Sequence, residues 1–433
     1  MAEVLPFRGW RYDLGQVGSL ADVTAPPYDV IGPDEQKELY EKHPCNVVRL
    51  ILNRDEPGDD SSNARYERSA NFIRQWSREG VLLQEHEDAF YVYHQEFDWE
   101  GQHYLRKGFL CRVRLEEFGE GQIFPHEQTM SGPKADRLAL TQACQMNLSP
   151  IFSLYPDIDA QAPLENVLPG QTALESTDEL GVVHRVWPIT NREALNSVRE
   201  LLSGVPLYIA DGHHRYETAL NYRKSLQEAG KLESDQAPAN YVLMHLVGMD
   251  DAGLAILPTH RLISGLPDLN SADLKEILGD HFELESLGSG PDASQKTWEL
   301  MEADGGQNVF GLGTAKDSEW LFARLTDASP METLAADQSS EWRQLGVSLL
   351  HRLILDHLVG GKYPDAERKC RYVHLLDEVN SGLSDSEAQL ACLVAPVGID
   401  HVQEIASKFE KMPPKSTFFY PKLLSGLVFN PLT

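Results

Sequence analysis

The chain is 433 residues long, and one apolar core rarely serves more than about 250–300 residues, so two or three domains are expected. Its 42% of apolar residues suffices for buried cores, and the composition is neither disordered nor fibrous. A net charge of −28, from 66 acidic and 38 basic side chains, repels nucleic-acid backbones and anionic membranes, so neither is expected as a partner, while a local basic pocket for a phosphorylated ligand stays open.

The five cysteines, Cys45, Cys111, Cys144, Cys370 and Cys392, are odd in number and form no C-x-x-C pair. That argues against a disulfide framework or a cysteine-only zinc site, and for reduced thiols in a cytoplasmic protein. The first residues lack a basic start followed by an apolar run, so no secretory leader is expected. No apolar run approaches ~20 residues, so no membrane span is expected either.

In chain order, Ala25-Pro26-Pro27-Tyr28-Asp29 must be extended, because each proline biases its predecessor away from helix. Residues 46–52 read as a buried strand, and 63–79 as a helix with Phe72, Ile73 and Trp76 on one face. Residues 89–96 and 104–114 read as strands of a hairpin turning at Trp99-Glu100-Gly101-Gln102. Residues 122–134 read as a Pro- and Gly-rich loop, about 134–146 as a helix, and 149–155 as a strand. Residues 156–180 are polar and show little periodicity.

Strand 182–187 and helix 191–203 follow. Then come strand 207–210, a turn at 211–215, a helix to about Ala229, and strand 241–248. Further on, 340–359 predicts a long helix carrying Leu345, Leu349, Leu353 and Leu358. Residues 372–376 and 389–397 read as strands that could pair, and 399–411 as a helix. Strands and helices interleave without a regular βαβ period, so the fold class is α+β. Three regions are expected: 1–120, 121–270 and 271–433.

The turn Asp211-Gly212-His213-His214-Arg215 stands between a strand and a helix. Glycine allows a tight turn and close backbone approach to a ligand. A helix start offers N–H groups and the positive end of the dipole, and Arg215 adds a planar fork for two phosphate oxygens. His213, His214 and Arg215 would all fall in the first helical turn. Cations there cost roughly 0.3–1 kcal/mol each against the dipole, unless an anion reverses the sign. Asp211 is also a candidate N-cap.

The run Ile209-Ala210-Asp211-Gly212-His213-His214-Arg215-Tyr216-Glu217-Thr218-Ala219 resembles the phosphate-binding box of the ParB/sulfiredoxin superfamily. The whole chain resembles domain-of-unknown-function family 1015. The matching segments are Pro6-Phe7-Arg8-Gly9, Ala25-Pro26-Pro27-Tyr28-Asp29-Val30-Ile31, His126-Glu127-Gln128-Thr129, Ser149-Pro150-Ile151-Phe152 and Pro258-Thr259-His260-Arg261-Leu262, with Pro414-Lys415-Ser416-Thr417 near the end. Superfamily members use ATP, ADP or CTP, and the related free-serine kinases phosphorylate serine. The resemblance thus implies a ParB/sulfiredoxin-like mixed sheet, with region 121–270 binding phosphate. It also implies ATP or ADP, or CTP, with Mg²⁺, and phosphoryl transfer to a small hydroxylated metabolite such as serine. His213-His214 replace the catalytic Gly-Cys-His of sulfiredoxin, so sulfinic acid reduction is not implied.

A second cluster of cations lies at Ser131-Gly132-Pro133-Lys134-Ala135-Asp136-Arg137. Ser131 or Gly132 can cap a helix, and Pro133 suits its first position. Lys134 and Arg137 are three apart and share a face. We expect this loop and the 211–215 turn to meet one polyphosphate, held by Gly212, His213, Arg215, Lys134 and Arg137. Glu127 is the candidate general base, and Asp211 the competing base or a Mg²⁺ ligand. His214 joins them as a catalytic candidate.

Thr259, His260 and Arg261 could line the pocket or serve structure. Lys415-Ser416-Thr417, near Tyr420-Pro421-Lys422, could close over the site or lie on the surface. Two other functions stand beside the kinase. One is a nucleotide-gated switch without small-molecule turnover. The other is a metal-dependent hydrolase built on His126, Glu127, His213 and His214. A homodimer is left open.

Overall fold

A computed structural model describes residues 2–59, 63–127, 131–156 and 158–433, with the side chains of 131–133 outside the description. Gln128 and Thr129, part of the segment that begins at His126, lie outside the described residues. The chain divides into two units. The first takes residues 1–125, 129–255 and 421–433, and the second 126–128 and 256–420.

The first unit is built on a mixed nine-stranded sheet. Its strands are β1 (Val4–Leu5), β2 (Phe90–Trp99), β3 (Gln102–Arg114), β4 (Ile123–Pro125), β5 (Ile151–Tyr155), β6 (Leu174–Thr177), β7 (Val183–Ile189), β8 (Leu207–Asp211) and β9 (Tyr241–Gly248). They run in the order β4-β8-β5-β9-β3-β2-β7-β6, with β1 pairing to β3. β4 with β8, and β5 with β9, are parallel pairs; the other pairs are antiparallel. The β2–β3 hairpin turns where the sequence places it. Trp99 pairs with Gln102, and Glu100 and Gly101 both have positive φ, which suits the twist of a two-residue hairpin loop.

Alternation along these strands separates two faces. Phe90, Val92, Phe109, Cys111, Ile151, Leu207, Ile209 and Met244 belong to one apolar core. Onto it pack Ala194, Leu195 and Val198 of α3 (Arg192–Leu201), and Tyr216, Ala219 and Leu220 of α4 (His213–Glu228). The opposite face is also buried but far more polar, carrying Tyr91, Tyr93, Gln95, Arg106, His184 and His245. Helices α1 (Ala64–Arg78) and α2 (Ser131–Cys144) complete the elements used below.

The second unit holds a six-stranded antiparallel sheet. Its strands are β10 (His260–Ser264), β11 (Phe282–Ser289), β12 (Val309–Thr314), β13 (Glu319–Leu325), β14 (Lys369–Val373) and β15 (Leu390–Val394), in the order β11-β13-β12-β15-β10-β14. A large apolar core on one face includes Phe310, Leu312, Leu353, Ile354 and Cys392. The mixture of sheets and helices makes the fold α+β.

Several sequence expectations are corrected. Residues 46–52 form no strand: Val48–Ile51 is a short buried helix. Asn46 holds its start, accepting from Val48 N at 2.9 Å and donating to Asp22 and Thr24 carbonyls. An apolar run this short carries no periodicity that separates strand from buried helix. The loop expected at 122–134 contains strand β4, and α2 begins at Ser131 rather than at 134.

The long helix at 340–359 is interrupted. Leu345 is extended, and the turns over Leu349–Val359 are wound as a π-helix. Strands β14 and β15 do not pair with each other, because each flanks β10. The polar stretch 156–180 contains a short helix, Ala162–Glu165, and strand β6.

Candidate functional site

The site is set by an irregularity in β8. Ile209 pairs with Ser153, but Asp211 pairs with Phe152, so Ala210 is an extra residue in the register. One extra residue reverses the faces of the residues after it. Asp211 therefore leaves the apolar face of Ile209 and joins the polar face of Phe152 and His245. Gly212 comes next in the left-handed region, φ 95°, and α4 starts at His213.

Gly212, not Asp211, occupies the cap position, and no side chain caps the helix. Asp211 is instead half-buried beside two cations. Arg215 Nη2 donates to its Oδ2 at 3.4 Å, and Lys422 Nζ lies 3.5 Å from the same oxygen. A Cβ at residue 212 would lie 2.9 Å from Arg215 Nε, so the guanidinium is folded directly against the glycine. Arg215 Nη1 also donates to the carbonyl of Pro150.

Arg137 of α2 is nearly buried and heavily bonded. Nε and Nη2 donate to the Asp136 carboxylate, and Nη1 donates to Ile51 O at 2.6 Å. Burial raises the Asp136 carboxyl, but Arg137, Tyr66 and Arg65 outweigh it and hold it below its ordinary range. The Tyr28 ring lies 4.0 Å from the Arg137 guanidinium carbon. Burial, and next Asp29, raise the Tyr28 phenol, while Arg215 and Arg137 oppose them.

Tyr28, Arg137, Thr141, Ser149, Arg215 and Thr218 line one cleft of about 50 Å³. That is far below the ~300 Å³ of a pocket that encloses a whole small molecule, so the cleft does not enclose one. Arg137 and Arg215 line the same cleft. Lys134 is turned to α4, where it pairs with the Glu217 carboxylate. His213 is buried in the first turn, and His214 is half-buried, its carbonyl accepting from Thr218 Oγ1 at 2.7 Å.

Glu127 belongs to the second unit. Its Oε1 accepts from Lys415 N at 2.6 Å, its backbone bridges to Met412, and its neighbour His126 contacts Thr417 Oγ1 at 2.9 Å. Thr259, His260 and Arg261 are buried in the same unit, with Arg261 donating to the carbonyls of Thr259 and Lys415. Among the described residues, no group of three or more His, Cys, Asp or Glu side chains is placed to hold a metal ion. The five cysteines are free, and no described helix is long and apolar enough to cross a membrane.

Sequence reasoning named two further residues near the site, Tyr28 and Lys422, without giving either a role. Tyr28 is signalled by its proline-rigidified tract, but the tract assigns it no chemistry. Lys422 lies 207 positions after Arg215 (422 − 215), and only the return of residues 421–433 to the first unit brings it there.

No curated protein matches the chain. Among solved structures, a free serine kinase in complex with AMP aligns at 14% identity and TM-score 0.32, over 69% of this chain and 83% of that one. A conserved hypothetical protein from Pyrococcus furiosus aligns at 16% identity and TM-score 0.33, over 70% and 89%. SbnI with C-terminal truncation from Staphylococcus aureus aligns at 11% identity and TM-score 0.31, over 73% and 85%. A family model matches residues 4–348, including the Gly212 turn, and the chain therefore belongs to the family described as protein of unknown function (DUF1015).

Proposed function

We propose that this protein is a nucleotide-dependent phosphotransferase acting on a small hydroxylated metabolite, serine or a similar compound, through a ParB/sulfiredoxin-like phosphate site. The observation that carries the reading is the pairing of two guanidinium groups, Arg137 and Arg215, in one cleft beside the uncapped, glycine-led start of α4. Arg215 stands in the first turn of α4, where a cation is unfavourable against the helix dipole and a bound anion reverses the sign.

The residues fit a phosphate. Gly212 removes the side chain that would fill the turn, and the guanidinium fork of Arg215 matches paired phosphate oxygens. They also fit Mg²⁺, because Asp211 offers the single carboxylate that this ion takes when phosphate oxygens supply other ligands. A bound Mg²⁺ would neutralise charge on the phosphoryl group in transit. Asp211 is assigned to the acceptor's hydroxyl proton or to the ion. ATP or ADP is the proposed donor, with CTP tested beside them.

Thermal unfolding with each nucleotide and Mg²⁺ tests the reading. A nucleotide at a hundred times its dissociation constant adds about 2.7 kcal/mol of stability. Arg215→Ala should abolish that gain, and a screen of hydroxylated metabolites should find one that gains the mass of a phosphate. If none of the three nucleotides raises the wild-type midpoint at millimolar concentration, the reading is wrong.

A further inference from the structure

The polar face of the first unit's sheet holds down the C-terminal segment of that unit. Arg106, wholly buried, donates through Nη2 to Pro421 O at 2.5 Å and through Nε to Gln95 Oε1 at 3.1 Å. Gln95, also wholly buried, donates through Nε2 to Lys422 O at 3.0 Å. Leu424 N donates to the Tyr93 hydroxyl at 3.4 Å. The Arg106 guanidinium carbon lies 4.8 Å from the Phe152 ring, and burial lowers its pKa to about 10. Three side chains from two adjacent strands thus fix the main chain of residues 421–424.

This clamp gives the Lys422 side chain a defined origin, and its ammonium ends 3.5 Å from Asp211 Oδ2. The pair is partly buried, with side-chain exposures of 20% and 24%. The Asp211 carboxylate is held between Arg215 from the helix and Lys422 from the strap, and an anion that reaches Arg215 comes within range of the Lys422 charge.

We propose that Lys422 is a phosphate-binding residue of the Asp211–Arg215 site, delivered by the clamped strap; this rests on the nucleotide reading above. Lys422 lies beyond the residues that the family model covers, so the family motif alone does not supply it. The ligand class is the terminal phosphate of a nucleoside di- or triphosphate.

The test uses the full chain and calorimetric titration with AMP, ADP and ATP, each with Mg²⁺. Lys422→Met should weaken ADP and ATP about tenfold, the worth of one charge-assisted hydrogen bond, and AMP less. Lys422→Arg should recover most of the loss, and the ligand-free melting temperature of both variants should stay near wild type. Unchanged ADP and ATP affinity in Lys422→Met overturns this inference and leaves the phosphotransferase reading standing. An equal loss for all three nucleotides with no recovery by arginine also overturns it, because that is the mark of a structural role. A wild-type protein that binds none of the three removes both proposals together.

Discussion

At the scale of single residues, Gly212 is the position where substitution is most informative. Its φ of 95° is open to glycine and costs an L-residue roughly 1–2 kcal/mol. The added Cβ would also press on Arg215. Gly212→Ala should therefore lower the unfolding free energy by about 1–2 kcal/mol in urea titration, and weaken nucleotide binding beyond that loss. A variant as stable as wild type would show that the turn tolerates a side chain, and would remove the close approach as a reason for glycine. Asp211, Gly212 and Arg215 were legible because a turn residue, a helix start and a cation fall within five positions. Arg137 was legible as a cation near a second helix start, but its bonding to Asp136 and Ile51 was not. Lys422 was legible only as part of a tail segment that could close over the site, and Arg106 was not legible, because their partners come from long-range pairing that no local pattern encodes.

At the scale of elements, the hairpin β2–β3, helices α1 and α4, and strands β5, β8 and β9 follow from periodicity and turn chemistry. The failures have different causes: Val48–Ile51 is an apolar run too short for periodicity to separate strand from buried helix, whereas Leu349–Val359 keeps an exposed side at Arg352, Asp356 and His357, so its helical character was readable and only its break and π-winding were not. The bulge at Ala210 is equally silent in sequence, yet it decides which face Asp211 joins.

The strap is the element whose behaviour is most exposed to test. Arg106→Ala removes the donors to Pro421 O and Gln95 from a wholly buried site, at a cost of about 3 kcal/mol or more. Hydrogen exchange of the 422–428 amides should accelerate ahead of those of β9. If the strap amides keep wild-type protection, Arg106 is not what holds the segment.

At the scale of the whole molecule, one chain builds two units by leaving the first near residue 126 and again at 256, and returning at 421. Part of the acid response should come from histidines that these units bury wholly or in part. In the second unit, burial and then Arg261 hold His260 to about 3 and His351 to about 4, against an ordinary value near 6.5. His374 adds to the repulsion on His260. Below pH ~6.5 the unfolded chain takes up these protons and the folded chain does not. Stability is therefore independent of these two groups above that pH, and falls as pH drops from ~6.5 towards 4, at up to about 1.4 kcal/mol per pH unit for each. Carboxylates held low, such as Asp136, act in the same direction at lower pH, so the comparison must be with a variant. Urea midpoints between pH 7.5 and 5 should fall for wild type and fall less steeply in the His260→Asn, His351→Gln double variant, the remaining slope coming from His184 and His245, which burial also holds low in the first unit. Parallel curves for the two proteins would mean that the buried imidazoles accept protons without penalty, and the argument from burial would fail for this unit.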